Sequence, residues 1–320
     1  MPPLQQRTLG TSHIQVSAIG LGCMSLSDWA YGSIPETDAV RLVQHALSQG
    51  ITLLDTADIY GPFTSEEIVG RAIKGRREQV ILASKGSLVV TDRTTQAMRN
   101  DGSPEHLKAA CDASLRRLGV EVIDLYQLHR PDPQVAIEES VGALAELVAA
   151  GKIRAIGLSE CNLPTLERAI KVHPIATLQS ELSLWTRDVL AEILPWCKAH
   201  NVAFLPFAPL GRGFLTGRYR STSQFGPNDF RTRLPRFQEE TLAQNLALVE
   251  RVEEIAKRHD ATSGQIALAW VLAQGEQVIP IPGTKHTEYL DENLGALSVT
   301  LSQTDLQELN QLPSVAGTRY

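Results

Sequence analysis

From residue 17 onward the chain repeats one pattern: a short apolar run, then a longer stretch with helical spacing. The runs are SAIGLG, ITLLD, VILAS, VIDLYQL, IRAIGLS, IATLQ, VAFLPF and VIPIPG. They end near Gly22, Asp55, Ser84, Leu128, Ser159, Gln179, Phe207 and Gly283. Between them, stretches such as DAVRLVQHALSQG, SPEHLKAACDASLRRLG and IEESVGALAELVAAG place apolar residues every three or four positions. Ser103-Pro104 with Glu105 marks a helix start, and Gly50, Gly119 and Gly151 mark helix ends. Near-continuous apolar strands alternating with helices predict a parallel sheet covered by helices. Eight such units in 320 residues predict a closed (β/α)8 TIM barrel rather than an open sheet.

Residues 7–22 alternate around a turn at Gly10 to His13, which predicts an N-terminal β-hairpin ahead of the first strand. LSQTDLQELNQL predicts an extra amphipathic helix near the end. Two segments read as long loops, Gly86 to Gly102 and Gly211 to Gln238, the second carrying six arginines. No linker or low-complexity tract divides residues 1–320, so one barrel domain is expected.

The bulk numbers narrow the function class. A net charge of -6 argues against nucleic acid or an anionic membrane surface as partner. No apolar run approaches the ~20 residues of a membrane span, and MPPLQQRTLG does not read as a secretory signal. A cytoplasmic protein is expected. Cys23, Cys111, Cys161 and Cys197 form no C-x-x-C pair, and the histidines show no H-x-x-x-H spacing. Reduced thiols and no metal site are therefore expected.

In a (β/α)8 barrel the active site gathers at the C-terminal ends of the strands. Polar residues just after the apolar runs are Asp55 and Tyr60, Lys85, His129, Ser159 and Gln179. One Asp or His at a strand end is more often a cap or a satisfied core residue. Several at matched depth form a chemical set. Reducing a carbonyl leaves an oxyanion that needs a proton, hence a positioned acid. Tyrosine, with a pKa near ~10, holds that proton, and a neighbouring ammonium such as Lys85 pulls its pKa down. Asp55 would hold Lys85, and His129 would orient the substrate oxygen and share the proton relay.

This ordered set resembles the aldo-keto reductases. The resemblance rests on LDTADIYG followed by SEEIVG, ASKG, LYQLHRPDP and GKIRAIGLSE. TLQSELSLW, LPFAPLGRGFLTG, DFRTRLPRF and IPGTKHTEYLDENLGAL extend it from about Arg7 to Leu312. It implies a catalytic tetrad of Asp55, Tyr60, Lys85 and His129, with Tyr60 as general acid. It also implies a nicotinamide dinucleotide, NADP(H) with NAD(H) possible, across the barrel mouth and a small carbonyl substrate. Ser159 and Gln179 would hold the carboxamide and Phe207 would stack on the ring. Leu210, Gly211 and Gly213 would wrap the pyrophosphate. Gly283, Thr284 and Lys285 would take the adenosine end, with Glu292 and Asn293 at the adenine. Gly22, Cys23, Met24 and Asp55 complete the implied cofactor contacts.

Departures from the family pattern are Ser159-Glu160 for Ser-Asn, Phe207 for Tyr, and Tyr289 where many members place an arginine. Lys285 remains available for a 2'-phosphate as a point charge, so NADPH is expected over NADH. Trp29 and Tyr31 beside Met24, together with Tyr60 and His129, are expected to wall the substrate pocket. Phe225 and Phe230 are expected to close over it, on a loop that acts as a lid. Two other readings stay open: a Schiff-base aldolase or lyase using Lys85, and a cofactor-sensing subunit with little turnover. A two-domain or short-chain dehydrogenase is disfavoured, since no G-x-G-x-x-G follows the first strand and no Tyr has a Lys four residues on.

Overall fold

The computed structural model describes residues 3–28, 30–226 and 229–320. A hairpin opens the chain, β1 (Gln6–Thr8) pairing antiparallel with β2 (Gln15–Ser17). A 3-10 turn joins them and ends at His13 in the left-handed region. The next strands are β3 (Leu21–Gly22), β4 (Leu53–Asp55), β5 (Ile81–Gly86), β6 (Leu88–Asp92) and β7 (Ala97–Asn100). They are followed by β8 (Ile123–Leu128), β9 (Ile153–Ser159), β10 (Thr177–Glu181) and β11 (Ala203–Phe207). Helices α1 (Glu36–Ser48), α2 (Thr64–Ile73), α3 (Pro104–Leu118), α4 (Ile137–Ala149) and α5 (Leu163–Ala169) lie between them. The helical series closes with α6 (Ile193–Ala199), α7 (Glu239–Arg258), α8 (Ser263–Leu272), α9 (Thr287–Gly295) and α10 (Gln303–Asn310). None is long and apolar enough to cross a membrane among the described residues.

Seven strands form one parallel sheet in the order β11-β10-β9-β8-β5-β4-β3. The eighth apolar run, residues 278–283, closes the ring without becoming a regular strand. On one side Ile279 and Ile281 donate to the carbonyls of Phe204 and Pro206 in β11, at 2.8 and 3.1 Å. On the other, Pro280 and Pro282 have no N–H to give. Their carbonyls only accept, from Gly20 at 2.9 Å and Gly22 at 3.2 Å. The barrel is closed, but its last seam is bonded in one direction only.

Inside the ring the odd-numbered positions point inward. Leu53, Ala83, Leu125, Ala155, Ala203, Leu205, Ile279 and Ile281 form one buried cluster with Leu9, Ile14 and Val16 of the hairpin, which plugs the bottom. The even-numbered Leu54, Leu82, Tyr126, Ile156, Leu158, Leu178 and Phe204 pack against the helices. The same two-residue period carries Asp55, Lys85, Gln127 and Gln179 into the upper barrel. Gly157 makes room for them: a Cβ there would meet Thr177 Oγ1 at 2.4 Å and the Gln127 side chain at 2.7 Å.

Helix ends follow the sequence signals. Ser103 caps α3 by accepting from the His106 N–H, with Pro104 at its first position and Gly119 left-handed at its end. The expected loop from Gly86 to Gly102 is instead the antiparallel pair β6–β7, a hairpin standing on the barrel rim. All four cysteines are free and buried, and burial pushes the thiols of Cys111, Cys161 and Cys197 up to about 12.

Candidate active site

β4 and β5 are neighbours, with Asp55 opposite Ala83, so the inward side chains of Asp55 and Lys85 converge. Lys85 Nζ lies 2.5 Å from Asp55 Oδ1, 2.9 Å from the Thr56 carbonyl and 3.2 Å from Tyr60 Oη. Asp55 Oδ2 accepts from Gln127 Nε2 at 3.0 Å and from Gln179 Nε2 at 2.9 Å. Tyr60 stands on a tight loop after β4. The Asp58 N–H donates to the Lys85 carbonyl, the Phe63 N–H to the Asp58 carbonyl, and Phe63 adopts a left-handed φ of 77°. A buried carboxylate underpins that loop: Glu66 accepts from Ser84 Oγ at 2.5 Å and pairs with Arg117 at 2.6 Å.

The electrostatics follow from burial and neighbours. Burial works against the Lys85 charge, but Asp55 and the Tyr60 hydroxyl outweigh it and raise its pKa. The expectation that Lys85 draws the tyrosine down holds for that pair alone. Burial of Tyr60 dominates, and its pKa ends above the ordinary value despite Lys85 and Arg130. His129 is driven well below its ordinary value by burial, Arg130 and Lys85, so it stands neutral. Its ring meets Tyr60 edge-on at 5.8 Å, and its Nδ1 has no partner among the described residues.

These groups lie at one end of a cavity of about 910 Å³. Of the expected site residues, Gly22, Cys23, Met24, Asp55, Tyr60, His129, Gln179, Phe207, Leu210, Gly213, Gly283, Thr284, Lys285 and Asn293 line it. Lys85, Ser159, Gly211 and Glu292 stand behind that lining. Gly211, Arg212 and Gly213 are successive left-handed residues; a Cβ on Gly211 would meet the Trp185 indole at 2.8 Å. Tyr31 and Phe230 line the cavity as expected, whereas Phe225 packs on Phe237 and Tyr219 instead. Trp29 lies outside the described residues.

At the far end Lys285 Nζ donates to the Tyr31 carbonyl at 2.6 Å. Arg218 spreads over the Tyr289 ring at 3.8 Å and pairs with Glu292 at 2.5 Å. The loop arginines are thus held by the protein itself: Arg212 by Glu181, Arg220 by Glu253, Arg231 by Asp229.

Three features escaped the sequence reading. Arg130, directly after His129, lines the cavity and donates to Ser159 Oγ at 2.9 Å; its rim position in LYQLHRPDP was the available signal. The β6–β7 hairpin adds Leu88, Gln96, Met98 and Asn100 to the wall. The C-terminal residues add Tyr320, tied in through Arg319, which pairs with Glu160 and, at 3.4 Å, with buried Glu181. The unusual Glu160 is therefore the anchor of that tail.

Residues 18–313 match the model of the aldo/keto reductase family. The chain belongs to that family. This makes it an oxidoreductase that uses a nicotinamide cofactor. The reductase is 44% identical to "Probable aldo-keto reductase 1" of Glycine max, over 99% of this chain and 92% of that one. A glycerol dehydrogenase from Gluconobacter oxydans has the same fold, with a TM-score of 0.86, 32% identity, and 96% and 94% of the two chains covered. An aldo/keto reductase from Klebsiella pneumoniae, solved with NADP and acetate, gives 0.76 and 26%, with 99% of each chain covered.

Proposed function

We propose that this reductase is one catalytic domain that converts small aldehydes and ketones to alcohols with NADPH, Tyr60 donating the proton. The observation that carries this reading is the contact chain Asp55–Lys85–Tyr60 beside a neutral His129 at the cavity wall. A bound reduced nicotinamide supplies the hydride. Tyr60 Oη keeps its proton at neutral pH as tyrosines do, and burial raises its pKa further. As negative charge develops on the substrate oxygen, the Lys85 ammonium stabilises the phenolate left behind. Asp55 keeps Lys85 charged and fixed, which disfavours the Schiff-base role. Neutral His129 is suited to hydrogen-bond the substrate oxygen, not to protonate it.

The residues present fit the cofactor. Successive left-handed residues at Gly211 to Gly213 bring the backbone against the cavity wall. Gln179 at the cavity wall and Ser159 behind it would hold the carboxamide, Gln179 Nε2 now donating to Asp55 and Ser159 Oγ accepting from Arg130. Phe207 offers a ring face. At the Thr284–Asn293 end, Lys285 and Arg218 are two cations for a 2'-phosphate. Arg218, stacked over Tyr289 at 3.8 Å, would offer a guanidinium beside the position where many members carry an arginine. Solved relatives from Klebsiella pneumoniae hold NADP and NADPH, which supports the same preference.

The test is NADPH consumption with a reactive aromatic aldehyde, native against Tyr60→Phe. A loss of about a hundredfold or more with cofactor binding retained is expected. Tight NADPH binding without turnover of any aldehyde in the native protein would replace this reading with a cofactor-sensing role.

A further inference from the structure

The cavity wall carries five arginines among the described residues: Arg130, Arg212, Arg218, Arg231 and Arg233. Three of them have carboxylate partners, Glu181, Glu292 and Asp229. Arg233 is exposed at the rim against Gln96. Arg130 differs from all of these. It is only partly exposed, sits next to His129, and pairs with no carboxylate of the described residues. The two acidic side chains on the same wall are already engaged, Asp55 with Lys85 and Glu160 with Arg319.

Its position is fixed at several points. The Arg130 N–H donates to Ser87 Oγ at 2.9 Å, and that hydroxyl donates to the Arg130 carbonyl at 2.9 Å. Nη1 donates to the His129 carbonyl at 2.6 Å and to Ser159 Oγ at 2.9 Å. The Nε and Nη2 donors have no hydrogen bond to the described protein. That edge of a guanidinium is a planar fork matching the two oxygens of a carboxylate. Its charge also reaches the reacting groups, adding to the burial that depresses His129 and working against the burial that keeps Tyr60 above its ordinary value. A neutral substrate leaves this cation without a counter-charge in a cavity from which water is displaced. The carboxamide of a nicotinamide is neutral and does not supply one. Arg218 and Lys285, the cations suited to phosphate, belong to the Thr284–Asn293 end.

We propose that Arg130 is a carboxylate-binding residue, and that the preferred substrates carry an anionic group close to the reacting carbonyl, as 2-oxo acids and acid semialdehydes do. The proposal rests on the carbonyl-reduction reading and names its substrate class. Arg130 would set substrate choice by orienting the anion while Tyr60 and His129 face the carbonyl oxygen.

The test compares butanal with 4-oxobutanoate and benzaldehyde with 2-carboxybenzaldehyde, using NADPH and the native enzyme, Arg130→Met and Arg130→Lys. The native enzyme is expected to favour a carboxylated member in kcat/KM by about tenfold or more, mainly through KM. Arg130→Met is expected to abolish that ratio, and Arg130→Lys to restore part of it. A ratio near one in the native enzyme, or equal loss for both members of each pair, would overturn the proposal. Binding of benzoate to the NADP-loaded protein, read by fluorescence, separates this from failure of the reductase reading. If no aldehyde turns over, benzoate binding that Arg130→Met abolishes still supports the anion site. Benzoate binding unchanged by that substitution would sink it.

Discussion

Lys85 Nζ and Asp55 Oδ1 meet at 2.5 Å with neither side chain more than 2% exposed. A charge pair so deep is stable only because its remaining valences are used: Lys85 also holds the Thr56 carbonyl and Tyr60, and Asp55 accepts from two glutamine amides. Breaking it strands a charge. Asp55→Asn should therefore cost about 3–5 kcal/mol of stability and at least about a hundredfold in turnover. Urea unfolding and NADPH consumption on one preparation check both. A stability loss without a turnover loss would confine the pair to a structural role.

His129 gives a pH signature. Its folded pKa is depressed, so the unfolded chain takes up a proton near ~6.5 that the folded chain refuses. Stability should fall as pH drops through that range, and His129→Gln should remove the fall. For the same reason kcat/KM for reduction should show no limb from His129 near neutrality. A limb near ~6.5 that His129→Gln abolishes would mean the histidine titrates in catalysis.

Asp58 predicts the opposite slope. Burial first, then nearby Glu66, raises its carboxyl to about 8, and its Oδ1 lacks a partner among the described residues. The folded state holds this proton while the unfolded state releases it above ~4. Stability should accordingly decline as pH rises from about 4 to about 8. Asp58→Asn should flatten that decline and add about 1–3 kcal/mol at pH 8. Thermal melts across this range decide it, and an Asn variant less stable at pH 8 contradicts the assignment.

Cofactor preference should reside in two cations. Arg218→Ala and Lys285→Ala should each weaken NADPH binding about tenfold while changing NADH binding little. Fluorescence quenching with both cofactors reads the difference. Equal weakening of the two would place these side chains elsewhere than on a 2'-phosphate.

Much of this architecture was legible because barrel strands are buried on both faces and write continuous apolar runs. Asp55, Lys85 and His129 were legible too, as the polar residues at the ends of successive runs. The β6–β7 hairpin was not, since its residues are mostly half-buried or exposed and no core face imposes a pattern on LVVTD or AMRN. The C-terminal wall was missed for a related reason: Arg319 and Tyr320 are held by ion pairs and ring contacts with distant Glu160, Glu181 and Arg212, which leave no periodicity. The eighth run was visible as apolar sequence. Pro280 and Pro282 explain why it does not become a full ladder.

Those two prolines also set where the ring is weakest. A hoop with one clasp opens at the clasp, and here it lies between β3 and residues 280–282, where Gly20 and Gly22 make the backbone bonds among the described residues and Ser25 Oγ adds one to the Thr284 carbonyl. Amide exchange at Gly20 and Gly22 should be faster than at their counterparts in β8 and β9. The two sides of that clasp, Gly22 and Gly283, face the same cavity. A dinucleotide lying across them would act as the latch, so loading the enzyme should slow exchange at the clasp before it does so elsewhere in the barrel.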